Sequence, residues 1–174
     1  MAYQLASFDM LTPDAAIEAV EATWEIRLDG TLSAYPSYVN RVYGIRTDEG
    51  EEYVAKFYRP GRWSREAILE EHAFLADCAD AEIPVVAPMT LPSGKTVHET
   101  DGICFALFSK CGGRQFEVHS RTDWLRIGNL LGRLHIVGSQ RPATHRTSLC
   151  PSESTAAHVR YLLDGNLVSP RCES

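Results

Sequence analysis

Two short runs of β-forming residues, joined by a tight turn, constrain the fold of this chain more than any other feature. Residues 40–46 and 52–58 are rich in Val, Tyr, Ile and Phe, and the Asp-Glu-Gly sequence at 48–50 between them is typical of a hairpin turn. Pro60 and Gly61 end the second run. The sequence therefore predicts an antiparallel β-hairpin whose side chains alternate between two faces.

Segments on either side of this hairpin have the apolar spacing of amphipathic helices. The first helix should begin at Pro13, with Thr12 as its N-cap. The second should begin after the N-cap Ser64 and run to about Cys78, and the third should cover residues 122–135. The apolar stripe of the third helix consists of Trp124, Ile127, Leu131 and Leu134.

Short strands are also predicted at 89–91 and 103–108, on either side of a Pro-Ser-Gly turn at 92–94. Residues 109–113 read as a Gly-containing connector, and a further short helix is indicated near 154–163. Because the strands do not alternate with helices as in βαβ units, the order of elements favours an α+β fold over a doubly wound parallel sheet.

Lys56 lies in the middle of the apolar second strand, on the same face as Val54 and Tyr58. It is either solvated, as most lysines are, or held inward by a partner. On the second helix, Glu71 falls in the middle of the apolar stripe, whereas Glu70 falls on the polar side. Because a carboxylate on a buried face is costly unless it is paired, these positions predict an ion pair between Lys56 and Glu71.

Composition argues against several classes of function. The 174 residues include 23 Asp and Glu against 17 Lys and Arg, so a nucleic-acid-binding surface is not expected, and Arg59, Arg62 and Arg65 are interpreted as surface solvation. There is no run of eighteen apolar residues and no recognisable secretory signal, so neither a membrane span nor export is expected. Five cysteines without a CxxC pair indicate reduced thiols and a cytoplasmic location.

Four segments carry a family resemblance: residues 37–43, 54–63, 68–72 and 112–117. The second contains the string KFYRP and the last is GGRQFE. Together they closely resemble the bacterial stress-response kinase A family, which belongs to the aminoglycoside-phosphotransferase-like group of the protein-kinase-like fold. The resemblance implies an ATP-dependent kinase, with ATP and Mg²⁺ as its cofactors.

The resemblance also implies a division of the chain. Residues 1–108 would form the nucleotide-binding N-lobe, residues 109–120 a hinge, and residues 121–174 the truncated start of a helical C-lobe. Within the N-lobe, Lys56 would hold the phosphates of ATP and Glu71 would hold the lysine. Val54, on the same strand face as Lys56, would cover the adenine.

Two further parts of the nucleotide site follow from the same resemblance. The turn at 37–40 would be the nucleotide loop, with Ser37 near the phosphates and Asn40 at its end; without the flanking motifs this turn would be interpreted as a simple polar β-turn. Ser109 to Cys111 would be the hinge that offers backbone groups to the adenine edge. The alternative for that segment is an interdomain connector, which is compatible with the hinge role.

The catalytic motifs of the family are absent from this sequence. A kinase of this kind needs an Asp to position the acceptor hydroxyl, and an Asn and a second Asp to hold magnesium. The family supplies them from an HGD-type loop and a DLD-type segment, and neither string occurs here; Asp164-Gly165-Asn166 is interpreted as a turn. No catalytic residue and no metal ligand is therefore assigned, the metal ligands are expected in a missing C-lobe, and the fragment alone is expected to be inactive.

Three functions stay open. The first is the N-terminal portion of a Ser/Thr protein kinase that transfers the γ-phosphate of ATP to a hydroxyl. The second is a kinase for a small molecule of the aminoglycoside, choline or homoserine type, and the third is a non-catalytic nucleotide- or protein-binding module. In a truncated kinase, the apolar stripe of helix 122–135 should pack on helices of the second lobe that are not present, so that its exposure would favour self-association, domain exchange or poor solubility.

Overall fold

The computed structural model describes residues 7–113, 115–165 and 167–168, so that Arg114 of the GGRQFE string, Asn166 and Cys172 lie outside the described residues. A 3₁₀ turn at Phe8–Met10 and a π-helical turn at Pro151–Thr155 accompany the regular elements. In chain order these elements are α1 (Pro13–Trp24), β1 (Leu28–Tyr35), β2 (Arg41–Thr47), β3 (Glu52–Phe57), α2 (Arg65–Asp80), β4 (His98–Thr100), β5 (Ile103–Ser109), α3 (Arg121–Gly138) and α4 (Ala156–Asp164).

The five strands form one antiparallel sheet in the order β1-β2-β3-β5-β4. The predicted hairpin is β2 and β3, in which Val42 pairs with Lys56, and Gly50 adopts a φ of 89° at the turn, where a side chain would be strained. The predicted α+β class is confirmed, since no parallel βαβ unit occurs in the described part of the chain.

The strand β1 was not predicted, because its sequence lacks an apolar alternation. Only Leu28 is buried and Leu32 is half-buried, while the remaining side chains are exposed. The pairing with β2 is irregular between Leu28 and Leu32, around Gly30 with its φ of 81°. As an edge strand it is held by backbone pairing rather than by a buried face.

The predicted strand at 89–91 is wrong, whereas β5 confirms the one at 103–108. Residues 88 and 89 pair with β5 through an isolated bridge between Pro88 and Phe108, with a hydrogen bond of 2.7 Å from Met89 N to Leu107 O, and form no strand. The partner of β5 is β4, joined to it by Asp101 and Gly102, whose φ angles of 48° and 76° are those of a tight two-residue hairpin turn. The pairing of residues 88 and 89 with β5 does not continue, because Leu91 N donates to Lys95 O at 3.1 Å rather than to a strand, and Pro92 has no N–H to donate.

The starts of α1, α2 and α3 agree with the prediction to within a residue, and α4 begins two residues after the start of the helix predicted near 154–163. Thr12 Oγ1 accepts a hydrogen bond from Ala15 N, and Ser64 Oγ accepts one from Ala67 N, each 3.1 Å. The third helix begins one residue before the predicted start, after Ser120, which forms a capping box with Asp123. Both α2 and α3 extend two or three residues beyond their predicted ends.

The two faces of the sheet are covered by different helices. On one face, α1 packs on the central strands around the stacked rings of Phe57 and Phe105, whose centroids are 5.1 Å apart. On the other face, Ile68 of α2 packs on Tyr58 and Ala106. This second face carries Lys56, so the packing of α2 places the next turn of the helix beside the lysine.

Helix α3 packs on the sheet domain only through its last turns. Leu134 and Val137 contact the cluster around Cys78 and Ile83, so the prediction that Leu134 would pack on a second lobe is wrong. Trp124 is 65 % exposed. Among the described residues no helix is both long and apolar enough to cross a membrane, and no disulfide forms.

Candidate nucleotide site

The predicted ion pair between the central strand and α2 is present. Lys56 Nζ lies 2.8 Å from Glu71 Oε1, and both side chains are 25 % exposed. Strand alternation turns Lys56 away from the core face that holds Ala55 and Phe57, and the helical turn after Ile68 points Glu71 back at the sheet. The pair therefore links the central strand β3 to α2 on the second sheet face.

Opposing effects act on the Glu71 carboxyl. Burial favours its neutral form, but the hydrogen bond and charge of Lys56, the charge of Arg146 and the neighbouring His72 outweigh burial and hold the pKa of Glu71 below its ordinary value. The carboxylate is therefore ionised at neutral pH and available to orient the ammonium.

A buried hydrogen-bonded chain lies behind the ion pair. Tyr58 Oη lies 2.8 Å from His72 Nε2, and His72 Nδ1 lies 2.8 Å from Thr96 Oγ1. Burial lowers the pKa of His72 to about 4, with the Lys56 charge acting in the same direction against the Glu71 charge. Burial and then the Glu71 charge raise the pKa of Tyr58. Both groups are neutral at pH 7, so they add no competing charge.

The ammonium of Lys56 lies 4.6 Å from the centroid of the Tyr58 ring, close enough for a cation–π contact. Strand alternation placed Tyr58 on the lysine face, but its link to His72 was not predicted. His72 directly follows Glu71, and its spacing from the other histidines is not that of metal ligands. The only feature of the sequence that could have indicated its role is its position on the buried side of α2.

A second cation contacts Glu71 from a distant part of the chain. Arg146 Nη1 lies 3.1 Å from Glu71 Oε2, and the guanidinium carbon lies 4.2 Å from the centroid of the Trp63 ring. Sequence reasoning missed Arg146 altogether. It lies 75 residues after Glu71, in a polar stretch with neither periodicity nor a motif that could have indicated it.

A cleft of about 350 Å³ opens beside the ion pair. Its walls are largely apolar, and Lys56 and Glu71 lie at its polar part. The lining residues are Val42, Val54, Lys56, Glu71, Leu75, Val86, Phe108 and Ser109. Four residues singled out in the sequence therefore meet here: Lys56, Glu71, Val54 and Ser109.

The other three residues predicted to bind ATP, which are Ser37, Asn40 and Cys111, do not line the cleft. Ser37 and Asn40 lie in the loop between β1 and β2, where Ser37 Oγ accepts a hydrogen bond from Asn40 N of 3.3 Å. Asn40 Oδ1 in turn accepts from Arg59 N at 3.2 Å, which ties the loop to the end of β3. Cys111 is exposed, two residues beyond β5.

The described residues contain no group of three or more His, Cys, Asp or Glu side chains that could hold a metal ion. Asp164 and Gly165 form the end of α4, with Gly165 as its C-cap. The charged groups that line the cleft are the Lys56 ammonium and the Glu71 carboxylate, which Arg146 also contacts, and the remaining walls are largely apolar. Such a set suits an anionic ligand with an apolar ring, because the cation attracts its charge and the walls bury its faces.

Similar proteins with curated names are bacterial kinases. The chain is 36 % identical over 162 residues to stress response kinase A of Shigella flexneri, covering 93 % of this chain and 49 % of that protein. It is 38 % identical over 143 residues to the serine/threonine protein kinase RdoA of Salmonella typhimurium (strain LT2), covering 82 % of this chain and 43 % of that protein. The chain thus spans about half the length of the relatives it matches, and the resemblance inferred from the sequence is confirmed.

Solved structures show the same fold at low sequence identity. The amicoumacin kinase hAmiN, in complex with AMP-PNP, Ca²⁺ and Ami, superposes with a TM-score of 0.61 at 19 % identity, over 78 % of this chain and 44 % of that one. The spectinomycin phosphotransferase APH(9)-Ia gives a TM-score of 0.61 at 12 % identity, over 86 % of this chain and 45 % of that one. Residues 31–173 match the model of the phosphotransferase enzyme family, APH, and the chain therefore belongs to that family.

Proposed function

We propose that this chain is the nucleotide-binding portion of an ATP-dependent phosphotransferase, and that its cleft binds ATP. One observation carries the proposal: the half-buried Lys56 is held by Glu71 at the polar part of an otherwise apolar cleft. An ammonium fixed in this way can bind phosphate oxygens without losing its orientation, and catalysis of phosphoryl transfer depends mainly on such positioning and charge stabilisation.

We assign each part of ATP to residues that line the cleft or lie in the segments next to it. Lys56 would hold the phosphates, with Ser37 and Asn40 in the loop beyond them. Val54 would cover the adenine, and Ser109 to Cys111 would supply backbone groups to its edge. When bound, ATP supplies the phosphoryl group that is transferred, accompanied by Mg²⁺.

We propose a Ser or Thr hydroxyl of a protein as the acceptor in the whole protein. This choice is supported by the names of the relatives at 36–38 % identity, one of which is a serine/threonine protein kinase. A small-molecule acceptor is the alternative, favoured by the two solved neighbours of the same fold, which are an amicoumacin kinase and a spectinomycin phosphotransferase. An assay of phosphate transfer by the whole protein, with a protein substrate and with aminoglycosides, distinguishes the two acceptor classes.

In this proposal residues 1–108 form the nucleotide-binding lobe, residues 109–120 the hinge, and residues 121–174 the start of a helical lobe, in a protein of the cytoplasm. The 174-residue chain contains neither an HGD-type nor a DLD-type string. We therefore expect it to bind nucleotide but to transfer no phosphate at a useful rate. Turnover comparable with that of a whole kinase would contradict this assignment.

The test of nucleotide binding is a thermal-shift titration with MgATP. A ligand that binds only the folded state stabilises it by about 2.7 kcal/mol at 100 times its dissociation constant, so the melting temperature of the wild type should rise with MgATP. Lys56→Ala should lose most of this rise. Lys95→Ala is the matched control, because Lys95 is an exposed lysine outside the cleft lining, and it should respond like the wild type. Equal shifts in all three proteins, or no shift in any, would refute the proposal.

A further inference from the structure

The segment after α3, residues 139–146, runs back along α2 and is called the strap here. Glu70 of α2 accepts hydrogen bonds from Thr144 N at 2.9 Å and from His145 N at 3.0 Å. About two helical turns further along α2, the Arg141 guanidinium makes two hydrogen bonds to Asp77, of 2.9 and 2.8 Å. The strap is therefore fixed to the helix at two points.

The strap ends in Arg146, which reaches over the helix to Glu71. Because Lys56 contacts Oε1 and Arg146 contacts Oε2, each carboxylate oxygen has its own cation. The Arg146 guanidinium also stacks on the Trp63 ring, just before α2, and its side chain is 33 % exposed. A planar guanidinium held by an aromatic face on one side and by a carboxylate at its edge has little freedom to rotate.

We infer that Arg146 is a positioning residue of the nucleotide site, which acts through Glu71 on Lys56. The inference rests on the proposed function of the cleft. When Lys56 Nζ donates some of its hydrogen bonds to a phosphate, its interaction with Glu71 weakens. If Lys56 were its only partner, the half-buried Glu71 carboxylate would then carry an uncompensated charge. Arg146 keeps the carboxylate paired in that state and holds it where it orients the lysine.

The first test needs no nucleotide. The Glu71 carboxyl is titrated by ¹³C NMR in the wild type, in Arg146→Gln and in the control Arg141→Gln, which removes the same charge from the strap away from Glu71. The groups that face Glu71 are Lys56 and Tyr58 from the sheet, His72 from α2 and Arg146 from the strap. Loss of Arg146 should raise the pKa of Glu71, whereas Arg141→Gln should leave it unchanged. An unchanged pKa in Arg146→Gln would overturn the inference.

The second test compares ADP with adenosine by calorimetry. Because Arg146→Gln removes a charged hydrogen-bond partner from the carboxylate that orients Lys56, we expect it to weaken ADP binding about tenfold. It should change adenosine binding less than about twofold, since the effect passes through the phosphate-holding lysine. Arg146→Lys should be intermediate, and the melting temperatures verify that each variant folds. Equal losses for ADP and adenosine would show a merely structural role and overturn the inference.

A double-mutant cycle tests whether Arg146 acts through Glu71. In a Glu71→Gln background, Arg146→Gln should weaken ADP binding no further. If the two losses add, Arg146 acts on the phosphate directly and the inference is wrong. If the wild type binds neither ADP nor adenosine, the proposed function fails, and the Glu71 titration still decides whether Arg146 positions that carboxylate.

Discussion

A charged residue in the middle of a sheet face needs a counter-charge that stays in place, together with neighbours that do not compete for it. Glu71 supplies the counter-charge of Lys56, and the neighbours are kept neutral because burial shifts the pKa of His72 downward and that of Tyr58 upward. At the scale of single residues, the site is therefore an ionised cluster of Lys56, Glu71 and Arg146 beside a neutral hydrogen-bonded chain of Tyr58, His72 and Thr96.

The depressed pKa of His72 predicts a pH dependence of stability. Its value falls from 6.5 in the unfolded chain to about 4 in the folded one, so the unfolded state binds more protons between these limits. The free energy of unfolding should be highest above pH 6.5 and should fall by about 3 kcal/mol as the pH is lowered to 4. Urea unfolding of the wild type at a series of pH values measures this loss.

His72→Gln should remove most of that loss, because glutamine does not titrate. His119→Gln is the matched control, since His119 is exposed and should leave the pH dependence as in the wild type. Glu71 acts in a lower window: its pKa lies below 4.5, so its contribution is lost only as the pH falls through that lowered value. An unchanged slope between pH 6.5 and 4.5 in His72→Gln would contradict the assignment of the slope to this residue.

The sequence predicts those side chains of the site whose direction is determined by residues a few positions away. Lys56 and Glu71 could be placed because strand alternation and the helical repeat fix their faces, and the Lys56–Glu71 contact follows once α2 packs on β3. Arg146 could not be placed, since nothing in its neighbourhood determines that the strap returns to α2. The loop residues Ser37 and Asn40 and the exposed Cys111 depend on family resemblance for their roles.

At the scale of elements, the caps and the turns determine where α2 stands and therefore where Glu71 points. Ser64 closes the first turn of α2, directly after the Trp63 ring that carries Arg146. The turns of the β2–β3 and β4–β5 hairpins contain Gly50 and Gly102, whose positive φ angles glycine adopts without strain. The strand β1 was missed because an edge strand can be held by backbone pairing without an apolar face.

Removal of the α2 cap should weaken the helix without changing its faces. We expect Ser64→Ala to lower the free energy of unfolding by about 1 kcal/mol, because Ala67 N loses its hydrogen-bond acceptor. Ser64→Asp should retain most of the stability, since aspartate also accepts from the first-turn N–H groups. Urea unfolding at pH 7 measures both variants, and a loss in Ser64→Asp as large as that in Ser64→Ala would show that the cap is not the cause.

At the scale of the whole molecule, α1 and α2 each pack on one face of the sheet, whereas α3 buries mainly its last turns. Leu134 and Val137 pack against α2 and its end, but Trp124 and Leu131 are 65 % and 48 % exposed. Apolar patches of this kind mark surfaces that bind other protein surfaces. The strap connects the region after α3 to α2 and, through Arg146 and Glu71, to the cleft beside Lys56.

The exposed stripe of α3 predicts self-association. Sedimentation velocity should show an average mass that rises with protein concentration for the wild type. The double variant Trp124→Glu, Leu131→Lys should stay closer to monomeric, because it places charges on that stripe. Tyr38→Gln serves as the control, since Tyr38 is a fully exposed aromatic residue away from α3, and it should associate like the wild type. A wild type that remains monomeric at all concentrations would contradict the prediction.

The amino-acid sequence by itself determined the β2–β3 hairpin, the starts of the helices, the α+β class and the inward face of Glu71. The hairpin, the helix starts and the face of Glu71 depend on residues within a few positions of one another, where backbone geometry repeats, and the fold class follows from the order of the elements. Only the tertiary structure decided that His72 closes a buried chain with Tyr58 and Thr96, and that Arg146 shares Glu71 with Lys56. These contacts join residues 14 to 75 positions apart, and the packing of elements, which no local pattern encodes, brings them together.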